Sequence, residues 1–130
     1  MKKLLLITII LLLQSFPSFG EWEKIGEYDI GSNSGVIFIE VDTMRKKGDL
    51  IYYNILNDFY EPYGSKSSLS ELVRSKMNCK TKEYQTLRTV EYKNSMGKGD
   101  VTFEMDFRDL NMIWWMEGSV IDLHYKYICR

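Results

Sequence analysis

The sequence predicts an α+β fold, an antiparallel β-sheet of about six strands with one C-terminal helix, stapled by one disulfide. Three observations predict it. Short β-branched and aromatic segments with period-two alternation recur between clusters of Gly, Asn and Asp. A helical period is well formed only after Gly118-Ser119, and the cysteines number two, Cys79 and Cys129.

Taken in order, residues 1–20 are set apart from the rest. Lys2 and Lys3 lead into an apolar run from 4 to 13, and small Ser18 and Gly20 follow. This pattern predicts a secretory signal peptide cut after Gly20, leaving one domain over residues 21–130. A run of ten residues is too short to span a bilayer, so no stable membrane span is expected. Residue 21 is Glu, which gives no cysteine for a lipid anchor at the cut. The mature domain then holds 15 basic and 18 acidic side chains, a formal net charge of −3. Such a balance argues against nucleic-acid binding, whose affinity comes largely from neutralised phosphates.

Residues 22–28 form a short strand with an aromatic at each end, Trp22 and Tyr28, closed by a polar loop at 29–35. Residues 36–42 are β-branched and too short for a helix, and they end at the charged turn 45–49. Residues 50–59 alternate Ile51, Tyr53 and Ile55 against Tyr52, Asn54 and Leu56, which predicts an antiparallel hairpin with the preceding strand. Pro62 and Gly64 break that pattern. The stretch 65–77 reads two ways, as a helix carrying Leu69, Leu72 and Val73 on one face or as an edge strand over 72–77. A second hairpin follows, with a strand over 82–93, turn formers at 94–100, and Val101, Phe103, Met105 and Phe107 on its buried face. Ser119 and Asp122 resemble a capping box, and Val120, Leu123, His124 and Tyr127 share the face of a terminal helix ending near Cys129.

In an oxidising compartment, two cysteines allow one pairing, and a Cys79–Cys129 bridge is expected. The close Cys-x-x-Cys spacing of redox or metal pairs is absent from the sequence.

Several features then coincide in order: Trp22, Val41-Asp42, Asn57-Asp58-Phe59-Tyr60, Ser67-Ser68-Leu69, Cys79, the segment Tyr92-Lys93-Asn94-Ser95-Met96-Gly97-Lys98-Gly99, Trp115, Gly118-Ser119 and Cys129. In this combination the chain resembles the surface-adhesin protein E family, a group of small exported bacterial proteins. Glu117 is a departure, since the family would place proline there. The resemblance implies that the helix packs on the sheet and that the domain binds proteins, envelope or host extracellular ones, rather than transforming substrates. It implies adhesion because the founding member is an adhesin for host matrix and serum proteins. The matching positions have structural readings, and none marks a ligand site.

Each side chain that could carry chemistry also has a plainer reading. His124 is the sole histidine, and without a motif around it a packed side chain is the simpler account than a hydrolase acid–base group. Asp42, Asp58, Asp100, Asp106, Asp109 and Asp122 read as solvated surface. Met112, Met116 and His124 beside Trp114 and Trp115 suggest a soft Cu(I) site, but methionine among aromatics more simply fills a core. No cofactor is expected. The aromatic side chains Trp22, Tyr28, Tyr52, Tyr60, Tyr63 and Tyr84 are candidates for a recognition face. Edge strands offer a second route, through which an extended ligand or a second copy, giving a homodimer, adds a strand. Residues 36–41, being almost continuously apolar, are expected in the centre of the sheet, which leaves 22–28 and 72–77 as the edges.

Overall fold

The computed structural model describes residues 21–108, 110–114 and 117–130. The signal-peptide reading of 1–20 and the readings of Asp109, Trp115 and Met116 lie outside these residues. Among the described residues, eight strands form one antiparallel sheet: β1 (Trp22–Asp29), β2 (Ser34–Glu40), β3 (Arg45–Lys47), β4 (Leu50–Tyr63), β5 (Ser68–Asn78), β6 (Glu83–Tyr92), β7 (Val101–Asp106) and β8 (Ile113–Trp114). The helix α1 (Val120–Ile128) follows. The main path runs β1-β2-β4-β5-β6-β7, with β3 on β4 and β8 on β6. The two strands beyond the expected six are these short additions, three and two residues long, below the length at which alternation is legible.

β4 explains much of the fold. It is 14 residues long, and its odd positions, Tyr53, Ile55 and Phe59, are buried on the helix side. The register sets Ile39 against Ile55 and Met77 against Ile51, so the apolar side chains of β2, β4 and β5 meet on that side. Ile37, Ile39, Tyr53, Ile55, Met77 and Ile128 form the core. β2 can lie against β4 only because residue 35 is glycine: a Cβ there would stand 2.3 Å from the Asp58 carbonyl oxygen.

The helix packs over β1, where a Cβ on Gly26 would touch Leu123 at 3.3 Å. Its start departs from the capping box. Ser119 makes no side-chain cap, and Asp122 instead accepts a hydrogen bond from the Gly118 N–H at 3.1 Å. Asp122 is therefore buried rather than solvated. Cys79 and Cys129 are bridged with Cα atoms 5.6 Å apart, and this ties the end of the helix to the turn after β5.

Two further expectations are corrected. Residues 72–77 belong to β5, which is held between β4 and β6, so they are neither helix nor edge. The ambiguity arose because Leu72 projects to one side of the strand and Val73 and Met77 to the other, and the strand is buried in part on both. Val101, Phe103 and Met105 are 52%, 39% and 44% exposed rather than buried. A nine-residue helix is about 14 Å long and about 10 Å wide, whereas six paired strands span about 24 Å, so the helix cannot reach β7. Central placement of β2 agrees with its apolar run.

Candidate functional site

The side of the sheet opposite the helix is built by even positions of β4 and their cross-strand neighbours. Register aligns Phe38, Leu56, Leu72, Val90 and Glu104 in one row, and Val36, Asp58, Ser70 and Tyr92 in the next. Residues 94–99 fold back over these rows. Their turn needs left-handed backbone at Met96 (φ 59°), Gly97 (φ 69°) and Gly99 (φ 80°). Asp58 and Ser70, direct neighbours on β4 and β5, hold the turn down. Asp58 Oδ1 accepts the Met96 N–H at 2.8 Å. The fully buried Ser70 hydroxyl donates to the Asn94 carbonyl at 2.6 Å and accepts the Gly97 N–H at 2.8 Å.

A groove of about 570 Å³ results. Leu56 and Leu72 form its floor, Trp22 and Glu40 one wall, and Tyr92, Met96 and Lys98 the other. Its size suits a side chain or short segment of a partner. Glu40 is held in place because its carboxylate accepts from Asn54 Nδ2 at 3.0 Å and from Thr43 Oγ1 at 3.1 Å. Beside the groove on the same side, a cleft of about 300 Å³ is lined by Tyr52, Arg74, Leu87, Arg88, Asp106 and Arg108. Arg108 hydrogen bonds hold the Asp106 carboxyl below its usual range.

The sequence-predicted aromatics do not form one surface. Trp22 lines the groove and Tyr52 the neighbouring cleft. Tyr60 and Tyr63 are exposed at the far end of β4, where Tyr63 meets Phe59 with ring centroids 5.4 Å apart. Tyr28 and Tyr84 are half-buried on the helix side. Burial, reinforced by Glu71, pushes the Tyr28 hydroxyl up to about 12. Burial also raises Glu71 and its cross-strand neighbour Glu91 above the usual carboxylate range. Met96, Leu56 and Leu72 went unnoticed as groove residues. The even-position pattern of β4 was the signal available for Leu56, whereas the folded-back turn carrying Met96 left none.

His124 lies inside the core, 3% exposed, joined to the Tyr53 hydroxyl by a hydrogen bond of 3.2 Å whose direction follows the imidazole tautomer. Desolvation lowers its pKa to about 4. A neutral imidazole sealed against Tyr53 fits packing better than proton transfer. Trp114 is 76% exposed, so it is not part of an aromatic–methionine core. Among the described residues, no group of three or more His, Cys, Asp and Glu side chains is placed to hold a metal ion, and no helix is long and apolar enough to cross a membrane.

Comparison with solved structures finds the same fold in Haemophilus influenzae protein E. Its crystal form II matches with a TM-score of 0.54 at 12% identity, covering 80% of this chain and 87% of that one. A further structure of Haemophilus influenzae protein E matches with a TM-score of 0.52 at 14% identity, covering 80% and 83%. No curated protein sequence matches. The family model described as surface-adhesin protein E matches residues 22–130, nearly the whole of the described domain, and the chain belongs to that family.

Proposed function

We propose that this chain is an exported, non-enzymatic adhesion module that captures another protein on the open side of its sheet. Residues 1–20 direct export and are removed, and residues 21–130 are the working domain, in the periplasm or at the cell surface. One observation carries the reading: the sheet side left bare by the helix holds a groove with an apolar floor and the aromatic walls Trp22 and Tyr92. Aromatic anchors around a dry floor are what a protein partner's side chain needs. Family membership supports it, since the family is one of surface adhesins. Envelope proteins and host extracellular proteins are the partner classes.

The test immobilises a panel of both classes and measures capture of the protein and of a Trp22→Ala/Tyr92→Ala variant. A specific partner should be retained at least tenfold more weakly by the variant. Equal retention would remove the groove from the reading, and turnover of a partner would remove the non-enzymatic part. The edge strands β1 and β7 are the places where a second copy would add. β1 carries the charged side chains Glu23, Lys24 and Glu27 that discourage indiscriminate pairing.

A further inference from the structure

Although residues 21–130 carry a net negative charge, cations are gathered on the open side below the groove. Register places Arg45, Tyr52 and Lys76 in one row across β3, β4 and β5. In the next row Arg74 and Arg88 stand directly opposite each other on β5 and β6. Lys47 reaches over the Tyr52 ring, its Nζ 5.7 Å from the centroid.

Two of the cations of this side are already neutralised. Arg88 pairs with Glu104, and Arg108 pairs with Asp106 at 2.7 Å. Glu40 is committed to Asn54 and Thr43, and Glu83 lies at the far end of another row, beyond Asn78. Arg45, Lys47, Arg74 and Lys76 have no ion-pair partner among the described residues. Like charges gathered on neighbouring strands of one side of a sheet repel one another. An external anion would relieve that repulsion.

We infer that these rows, centred on Tyr52, bind a sulfated polysaccharide chain. The free charges are spread across two strand spacings, about 10 Å, instead of converging on one point, which suits a polymer with repeated anions. Arginine forks grip sulfate oxygens in the bidentate way they grip carboxylate and phosphate. Tyr52 offers a flat aromatic face, half-buried and so held in place, for the C–H side of a sugar ring. None of the large exposed apolar side chains lines this cleft, as docking on a lipid surface would require. This binding stands beside protein capture rather than on it, because the groove uses other residues.

The test measures binding of the full protein, with its disulfide intact, to dextran sulfate over 50–200 mM salt. Neutral dextran, poly-glutamate, oligothymidylate and phosphatidylglycerol vesicles are the comparison arms. Dextran sulfate should bind and neutral dextran should not. Arg45→Gln/Arg74→Gln and, independently, Lys47→Gln/Lys76→Gln should each weaken binding at least tenfold. Each should also flatten the log–log salt dependence by about two, one for each lost contact. Lys66→Gln/Lys93→Gln, two exposed cations off the rows, should change affinity less than twofold. The inference is overturned if dextran sulfate fails to bind at 50 mM salt, or if both row variants bind as the parent does. It is equally overturned if the off-row pair loses as much, or if any other anionic arm binds as tightly.

Discussion

Ser70→Ala tests whether the groove wall is held by one hydroxyl. The serine is fully buried, and its Oγ serves both ends of the folded-back turn, donating to Asn94 and accepting from Gly97. Alanine removes both bonds and adds no bulk. At about 0.5 to 1.5 kcal/mol for each bond, the loss is about 1 to 3 kcal/mol, or roughly 5 to 15 °C in Tm for a domain of this size. The effect should be concentrated locally, because the strands beneath keep their own ladders. Amide exchange at Gly97 should accelerate at least tenfold while that of Ile55 in β4 changes no more than global stability requires. Asp58→Asn is the comparison. An amide oxygen can still accept the Met96 N–H, so that variant should cost less than Ser70→Ala. If Ser70→Ala leaves both Gly97 exchange and Tm within error of the parent, the turn is held by something other than this clamp and the groove wall has been wrongly explained.

Replacing Cys79 and Cys129 by Ser opens a loop of 50 residues and should cost about 4 kcal/mol, read from urea unfolding monitored by circular dichroism. For His124, the folded pKa is lowered from 6.5 to about 4 by burial, so the unfolded chain takes up a proton that the native state refuses. Its share of stability is complete above pH 6.5 and falls by about 3 kcal/mol as the pH drops to 4. Glu71, raised by burial, acts with the opposite sign, so the measurement is the difference between the stability–pH curves of the protein and of His124→Gln, which should flatten that window. Gly35→Ala drives a methyl group into the Asp58 carbonyl and should destabilise by about 3 kcal/mol, with loss of folded yield as the readout.

β4 and β7 were legible from alternation, β2 from its β-branched apolar run, and the terminal helix from its period. What failed had a common physical origin. Period two says which side chains share a side of a strand, but not whether anything covers that side. Phe103 and Met105 alternate as core residues do, and yet the helix stops short of them. β5 was ambiguous because a central strand with one half-open side has neither a clean alternation nor a continuous apolar run. The groove was hidden for a different reason. Its far wall comes from a turn whose position depends on Asp58 and Ser70, contacts 38 and 27 residues away in sequence. Tyr60 and Tyr63 reach the surface, but composition does not say which aromatic side chains meet.

The in-and-out pattern of β4 divides labour along a single strand, with Leu56 alone among the even positions buried. Tyr53, Ile55 and Phe59 answer to the core, while Tyr52, Asn54 and Asp58 answer to whatever lies outside. Inheritance can therefore act on the two sets almost separately. Substitutions at Tyr52, Asn54, Leu72 or Arg74 can retarget the surface between related strains without disturbing the packing beneath. A shift of β4 by one residue would exchange the two sets at once and destroy both, which makes register, more than any single side chain, the property that selection must guard.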